Sequence, residues 1–218
     1  MGASDPLLLI ASYLLLGMIP LMMVMTTSFT KISIVLVLLR NSLGVQQAPS
    51  NLAIAGLALA ITMLVMKPVW TQIADRIDIE AVAAGEFRPS IAELLDAIEV
   101  PLKGFMGTHV SKSGLERLSA VVEKREVRTD SLPDAVHASF SLLAPAFILS
   151  EIGSAFKIGM LLAIGFAVID ILIANLLMAM GMTMFPPSTV AVPLKLLVFV
   201  MTAGLSQLTY GLIQSYQS

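Results

Sequence analysis

The sequence contains no cysteine and only two histidines. Without cysteine the chain can form no disulfide, no thiol nucleophile and no cysteine-ligated metal site. His109 and His137 are far apart in the chain and lack a partner at ligand spacing, so they predict no metal site. Neither a G-x-S-x-G nucleophile motif nor a phosphate-binding loop occurs. We therefore expect a protein that is not an enzyme and that uses no cofactor and no metal.

Charged residues are also scarce. They make up 13% of the chain, while 57% of the residues are hydrophobic, and a soluble domain typically has about 25% charged residues. A chain with so little charge cannot cover a globule with solvated side chains, which excludes a monomer in water. The high apolar content excludes intrinsic disorder. The net charge of −2 provides no basic surface for a nucleic acid.

The few charges are concentrated in the middle of the chain. Of the 28 charged residues, 20 lie between Asp75 and Asp134. The composition changes near Trp70 and Ala138, so the chain reads as apolar, polar and apolar. This predicts N-terminal apolar helices in residues 1–70, a polar helical insert in residues 71–138, and C-terminal apolar helices with a methionine-rich loop in residues 139–218.

Four apolar stretches are candidates for membrane helices: Leu7–Leu39, Leu52–Trp70, Phe140–Phe185 and Val190–Ile213. A helix that spans a bilayer needs about 20 apolar residues, which fits the second and fourth stretches. The first is too long for one span, and Gly17, Pro20 and Thr26-Thr27-Ser28 predict a break or bend in it. The third is longer still, so we interpret it as two helices or a hairpin. No basic residue precedes the first stretch, so we expect it to serve as an uncleaved insertion signal.

The polar insert carries two S-x-x-E sequences, Ser90–Glu93 and Ser113–Glu116. This spacing is typical of a capping box and predicts two helix N-termini. Pro101 is predicted to close the first helix, and Gly104 and Gly107 to form a loop. We expect a small amphipathic helical cap, with a ligand-binding domain as the alternative.

Five charged residues lie inside or at the edge of the apolar stretches: Lys31, Glu151, Lys157, Asp170 and Lys195. Each would cost about 2.5–3.5 kcal/mol if it faced lipid, so we predict that they are buried, pair with one another, or face protein or water. Lys31 could pair with Asp170 or with Glu151. In one interpretation Asp170 and Lys31 relay protons or gate a path, and in the other they are structural pairs that fix helix register.

Two small-x-x-x-small pairs, Gly56 with Ala60 and Ala155 with Gly159, favour close approach of helices. Together with the charged residues inside the apolar stretches, these pairs predict that the chain buries its apolar surface against other subunits.

Methionine recurs at every second position from Met178 to Met184. Gly181 and the two prolines after Phe185 cannot continue a regular helix, so the sequence predicts a turn with flexible thioether side chains. Repeated around a symmetric ring, such a loop could form a deformable seal. The alternative is that the methionines fill the core at the tip of a hairpin.

Ordered motifs in the apolar parts resemble the FliP/SctR family of export-apparatus proteins, which serve flagellar and virulence type III secretion. The N-terminal motifs are Thr27-Ser28-Phe29-Thr30-Lys31 and Leu38-Leu39-Arg40-Asn41-Ser42-Leu43-Gly44-Val45-Gln46-Gln47. The C-terminal motifs are Pro145–Glu151, Ala155–Gly159, Ile169-Asp170, Met180–Met182 and Pro193–Leu197 followed by Phe199. The resemblance covers residues 7–70 and 140–200 and leaves out the polar insert.

The resemblance implies an all-α fold of membrane-associated helical hairpins that assemble into a helical ring. The implied partners are copies of the same chain, five in the family, two smaller membrane subunits similar to SctS/FliQ and SctT/FliR, a switch protein similar to SctU/FlhB, and unfolded secreted proteins as cargo. The implied location is the bacterial inner membrane, with multi-pass hydropathy, the assembled subunits at or above its periplasmic face and the insert in the periplasm.

The implied function is that of a pore-forming subunit in a gated channel for unfolded proteins. A self-sufficient proton-coupled or small-solute transporter is the alternative, and a purely structural membrane anchor is a third class. In the family, three consecutive methionines close the pore; they match Met182, Thr183 and Met184 here, and Met180 is added because it precedes Gly181. Thr183 departs from the pattern, which implies a looser seal or compensation by its neighbours.

Overall fold

The computed structural model describes residues 6–45, 48–77, 90–123 and 139–217, and within these ranges the chain is helical without any strand. The helices are α1 (Pro6–Thr26), α2 (Phe29–Leu43), α3 (Asn51–Val65), α4 (Lys67–Ile77), α5 (Ile91–His109), α6 (Lys112–Glu123), α7 (Phe140–Ala179), α8 (Ser188–Met201) and α9 (Gly204–Gln214). The predicted all-helical fold class is confirmed.

The chain folds into two compact units. The first comprises Met1–Thr30 and Met66–Ser150, and the second comprises Lys31–Val65 and Glu151–Ser218. The three segments predicted from composition stay a prediction, because they describe charge and hydropathy along the chain rather than packing.

The break predicted in the first apolar stretch lies at its polar run. Helix α1 ends at Thr26 and α2 begins at Phe29. The hydroxyls of Thr26 and Thr27 donate to the carbonyls one turn earlier, at Met22 and Met23. Because these hydroxyls bond to the last turn of α1, the threonines stay buried in an apolar setting. The break is confirmed here, whereas Pro20 lies inside α1.

The third apolar stretch is one helix. Helix α7 runs without interruption for 40 residues, which is about 60 Å at 1.5 Å per residue. The prediction of two helices or a hairpin is therefore wrong. Its glycines each lower helix propensity by about 1 kcal/mol but do not end a helix that is otherwise rich in Leu, Ile and Ala.

Helix α5 begins at the predicted capping box. The hydroxyl of Ser90 accepts from the backbone N–H of Glu93 at 3.3 Å, and the Glu93 carboxylate accepts from the backbone N–H of Ser90 at 2.7 Å. The backbone hydrogen bond, followed by the hydroxyl, holds the pKa of Glu93 below its usual value. This N-terminus is confirmed.

The predictions for Pro101, Gly104, Gly107 and Ser113 are wrong. Helix α5 continues through Pro101, Gly104 and Gly107 to His109, so these residues neither end a helix nor form a loop. Helix α6 begins at Lys112, which places Ser113 inside its first turn and not at the cap. Pro101 is buried, as are Phe105 and Met106 on the same helix. Burial of this helix face by tertiary packing overrides the local signal of the proline.

The first unit has a core where α5 meets the start of α7. Met106, Leu143 and Phe147 are fully buried, and the rings of Phe105 and Phe147 lie edge to face at 5.8 Å. Helix α4 also packs on α5. The apolar face of α5 is therefore buried against its neighbours in this unit, as its amphipathic pattern predicts.

In the second unit the last two helices form a bent pair. Helices α8 and α9 meet at 61° where Ala203 adopts a left-handed backbone conformation with φ of 49°. A Cβ atom added to Gly204 would overlap the ring of Phe199, so any other residue at the start of α9 would require that ring to move. Helix α9 packs on both α8 and α3, with Leu212 buried.

Of the described helices, α7 alone is long and apolar enough to cross a membrane by itself, and up to four spans result if three bent helix pairs each count as one. Only 11% of the most apolar window of α7 is buried within the chain. The helix therefore has a large surface left for other molecules or for lipid.

The predicted small-residue pair on α7 brings α2 close. Ala155 and Gly159 are buried, and a Cβ atom added to Gly159 would come within 2.9 Å of the Leu38 Cβ atom. In contrast, no atom lies within 4 Å of the Cβ position at Gly56, so the other pair makes no close contact among the described residues.

Replacing Gly159 with alanine is expected to destabilise the protein by about 1–3 kcal/mol, because Leu38 must move away from the added methyl group. The measurement is the thermal unfolding midpoint in detergent. Gly153 is the matched control, since it lies on the same helix with open space around its Cβ position. There, alanine is expected to raise stability by up to about 1 kcal/mol through helix propensity alone. Equal effects at both sites would contradict the close packing.

Candidate functional site

Lys195 on α8 and Asp170 on α7 form an ion pair. The Lys195 Nζ atom lies 2.5 Å from the Asp170 Oδ2 atom and 3.1 Å from the carbonyl oxygen of Ser42, just inside the end of α2. The lysine side chain is 5% exposed and that of the aspartate 49%. The ammonium group thus joins three helices of the second unit, while the aspartate side chain stays half-exposed.

An open pocket of about 680 Å³ lies beside this ion pair. Its lining combines polar and charged residues with small or apolar ones, and these include Asn41, Ser42, Asp170, Ala163, Ala167, Ile171 and Val192. Ala163, Ala167 and Asp170 share one face of α7, since they are four and then three residues apart. A polar group on a neighbouring helix could approach this face closely.

A second group of charged and polar side chains forms where the residues that follow α9 contact α2 and α7. We call it the C-terminal cluster, and it consists of Lys31, Glu151, Ser215 and Tyr216. The Lys31 Nζ atom donates to the Ser215 hydroxyl at 2.9 Å and lies 4.3 Å from the centroid of the Tyr216 ring. The Tyr216 hydroxyl donates to the Glu151 carboxylate. Lys31 and Glu151 are 6% and 2% exposed, so both charges are buried with hydrogen-bond partners.

Burial, together with the nearby charge of Glu151, raises the pKa of Tyr216. The phenol therefore keeps its proton and serves as a donor to the carboxylate. Ser215 and Tyr216 follow α9 directly, so the end of the chain satisfies charges on α2 and α7. Sequence reasoning missed both residues. The only signal was a tyrosine and a serine immediately after an apolar stretch.

The two groups decide between the pairings left open by the sequence. Lys31 lies in the cluster of Glu151, whereas Asp170 pairs with Lys195. The two carboxylates differ in burial, because Glu151 is buried and Asp170 is half-exposed. A direct Lys31–Asp170 relay has no support in these contacts.

Lys157 is different from the other four predicted charges. It is exposed on α7, and no ion-pair partner occurs for it in the part of the chain that the structure describes. Its burial is therefore not achieved within one chain, and a role in assembly stays a prediction.

The methionine loop between α7 and α8 has a fixed backbone. Gly181 has a φ of 76°, its N–H donates to the Met178 carbonyl, and the N–H of Met182 donates to the Leu177 carbonyl. These two bonds form a Schellman motif, in which glycine ends the helix. The N–H of Phe185 then bonds to the Met182 carbonyl across a turn.

The side chains of this loop point away from the chain's own core. Met180, Met182, Thr183 and Met184 are all exposed. The predicted turn is confirmed, and the alternative that these methionines fill the core of a hairpin tip is not what the single chain shows. Their role as a pore constriction stays a prediction.

The C-terminal part of α7 is covered with exposed apolar side chains: Phe156, Met160, Leu161, Ile164, Val168, Ile171, Leu172 and Leu176. At about 3.6 residues per turn these positions cover more than half of the helix circumference. The rest of the second unit leaves these apolar side chains exposed.

Within the described ranges no group of three or more histidine, aspartate or glutamate side chains is arranged to bind a metal ion. The ion pair between Lys195 and Asp170 instead links α8 with α7.

Comparison with known proteins identifies the family. The FliP family matches residues 13–212. The chain is 38% identical to the hypersensitivity response secretion protein HrcR of Ralstonia nicotianae, with 96% of each chain covered, and 38% identical to the Yop proteins translocation protein R of Yersinia pestis, with 97% of each covered. It is 34% identical to the flagellar biosynthetic protein FliP of Aquifex aeolicus, over 98% of this chain and 87% of that protein. The chain therefore belongs to the FliP family, as its sequence motifs predict.

Proposed function

We propose that this protein is a pore-forming subunit of a type III secretion export apparatus and that it forms a gated channel for unfolded proteins across the bacterial inner membrane. Its homologues are export and translocation proteins of such systems, with names that refer to secretion, translocation and flagellar biosynthesis. Those relatives match along nearly the whole chain, which supports a shared role and not a shared module.

The observation that carries the proposal is the apolar surface of α7 together with the charges on it. More than half of the helix circumference is apolar and exposed, yet the half-exposed Asp170 and the exposed Lys157 lie within the same helix. Charges facing lipid would each cost about 2.5–3.5 kcal/mol. Packing of α7 against other subunits accounts for both features, since it covers the apolar residues and supplies polar partners.

The methionine loop is the proposed constriction. Met180, Met182, Thr183 and Met184 project from a backbone that Gly181 fixes, so copies arranged around an axis would present the same flexible side chains to its centre. Thioether side chains adapt to irregular gaps, which suits a seal that must open and close again. Thr183 would place a hydroxyl in each copy of this seal.

The proposed partners are further copies of this chain, five in a ring, the smaller SctS/FliQ-like and SctT/FliR-like membrane subunits, a SctU/FlhB-like switch protein and the unfolded cargo. We place the assembly at the inner membrane, at or above its periplasmic face. Self-association is supported by the unsatisfied apolar surface, and the remaining partners and the position by the family.

A small-solute or proton-coupled transporter is the second candidate. It is favoured by the open pocket of about 680 Å³ beside the half-exposed Asp170 carboxylate. A carboxylate at a cavity within membrane helices is a frequent feature of ion and substrate pathways. The pairing of Asp170 with the buried Lys195 instead favours a structural role.

Purification and reconstitution distinguish these functions. The chain is produced together with its export-apparatus partners, extracted in mild detergent, and studied by native mass spectrometry and particle imaging. We expect a particle with several copies of this chain and no uptake of small solutes into vesicles. A stable monomer that accumulates a solute or protons in vesicles would reject the channel proposal and support the transporter.

A further inference from the structure

The loop carries the most exposed methionine that the structure describes, Met184, whereas Met182 is 40% exposed. Met184 is 97% exposed, the highest value among the methionines whose exposure the structure describes, and Met201 follows with 78%. In contrast, Met66 and Met106 are fully buried. The loop thus combines several thioethers that the rest of the chain does not cover.

We propose that Met182 and Met184 are sites of reversible oxidation by peroxide, and that their conversion to sulfoxides loosens the resting channel. This inference rests on the proposed function, because it takes the loop to be the constriction. It adds a modification that regulates the same site.

The chemistry needs only a peroxide. A sulfur lone pair attacks one peroxide oxygen, the O–O bond breaks, and the S–O bond forms. The leaving hydroxide takes up the remaining proton and departs as water. The sulfur is oxidised by two electrons and the peroxide is reduced by two. Methionine sulfoxide reductases reverse the change, so the modification can serve as a switch.

The consequence follows from polarity. A closed constriction made of thioethers excludes water because its side chains are apolar and fill the space between copies. A sulfoxide is polar and accepts hydrogen bonds, so it favours hydration of the constriction over dry contact. The hydroxyl of Thr183 lies between the two sulfur-bearing residues, and it would stabilise the same water.

The fixed backbone makes this effect local. The Gly181 and Met182 N–H groups bond to the end of α7, and the Phe185 N–H bonds to the Met182 carbonyl. None of these bonds involves a sulfur atom. Oxidation therefore changes the surface of the loop and leaves its backbone bonds in place, which distinguishes it from general oxidative unfolding.

The test uses the assembled particle in planar bilayers. Resting conductance is measured before and after hydrogen peroxide, and peptide mass spectrometry measures the gain of oxygen at each methionine. We expect a rise of about tenfold, equivalent to about 1.4 kcal/mol in favour of the hydrated state. Methionine sulfoxide reductase should return the conductance to its starting value.

Two variants, each compared treated against untreated, make the test specific. With Met182→Leu and Met184→Leu combined, the peroxide-induced ratio should fall to about one. With Met201→Leu, which removes an exposed sulfur outside the loop, the ratio should remain that of the parent. A peroxide effect that survives the double Leu variant would overturn the proposal.

The oxidation proposal can fail while the proposed channel function still holds. If Met184 gains oxygen and conductance stays constant in a particle that forms channels, the switch is rejected and the channel remains. Oxidation of Met201 under conditions that leave Met184 unmodified would also reject the switch, since it would show that the loop is protected. If the particle forms no ion-conducting pathway in any state, the channel proposal itself fails.

Discussion

Replacing Asp170 with asparagine is expected to destabilise the assembled protein by about 1–3 kcal/mol, which is the cost of leaving a buried donor without its partner. The reason is the partner that remains. Lys195 is almost completely buried, and its ammonium group would keep only the Ser42 carbonyl and a neutral amide as partners. A buried cation without a counter-ion must lose its proton or draw in water, and both cost free energy.

The double variant separates the pair from its single charges. Combining Asp170→Asn with Lys195→Met removes both charges and keeps similar side-chain volumes. Removing both partners of a hydrogen-bonded pair in this way can be nearly neutral, so we expect the double variant to recover most of the lost stability. The measurements are the thermal midpoint in detergent and the yield of assembled particle.

Lys157 provides the matched control. Like Lys195→Met, Lys157→Met removes the positive charge of a lysine. However, Lys157 is exposed and lacks an ion-pair partner among the described residues. We expect this variant to leave the stability of the single chain unchanged within about 0.5 kcal/mol. Normal assembly of Asp170→Asn with loss of secretion alone would contradict a structural pair and favour a proton relay.

Much of the fold could be predicted because the strongest signals were long or chemically specific. The Ser90 capping box and the break at Thr26–Ser28 both depend on hydrogen bonds within a few residues, so local sequence determines them. In the same way, Gly181 followed by Pro186 and Pro187 predicted the turn after α7, because these residues restrict the backbone directly.

The predictions that were wrong concern residues whose conformation depends on tertiary packing. Pro101 reads as a helix end, yet it lies buried inside α5. The glycines of α7 suggest a hairpin, but Gly159 instead allows Leu38 of α2 to approach. A single glycine or proline predicts a tendency, and the contacts made by distant residues decide whether the helix ends there.

The charged residues show the same limit. Composition alone indicated that Lys31, Glu151 and Lys195 needed partners, because isolated charges are costly in apolar surroundings. It could not indicate which partners, since Ser215 lies 184 positions from Lys31 and Asp170 lies 25 positions from Lys195. The involvement of the C-terminal residues required the folded chain, because nothing local to α2 or α7 identifies them.

Replacing both Met182 and Met184 with alanine is expected to raise the resting ion conductance of the assembled channel by about tenfold or more. Each truncation removes most of a flexible side chain, and a methionine-to-alanine change in a packed site costs about 2–5 kcal/mol. Since about 1.4 kcal/mol corresponds to a tenfold change in an equilibrium, even partial packing of the loop in the closed ring would suffice. The measurement is ion conductance of the assembled particle in planar bilayers, without cargo.

Met63→Ala is the matched control for this change, because Met63 is also exposed but lies on α3, outside the loop. It removes the same side chain and should leave the resting conductance at the parental level, so a leak in both variants would indicate general loosening of the particle.

Thr183→Met tests the same constriction in the opposite direction. A further thioether at this position adds apolar volume to each copy and should lower the residual conductance. Unchanged conductance in the double alanine variant, with the particle intact, would show that the seal lies elsewhere.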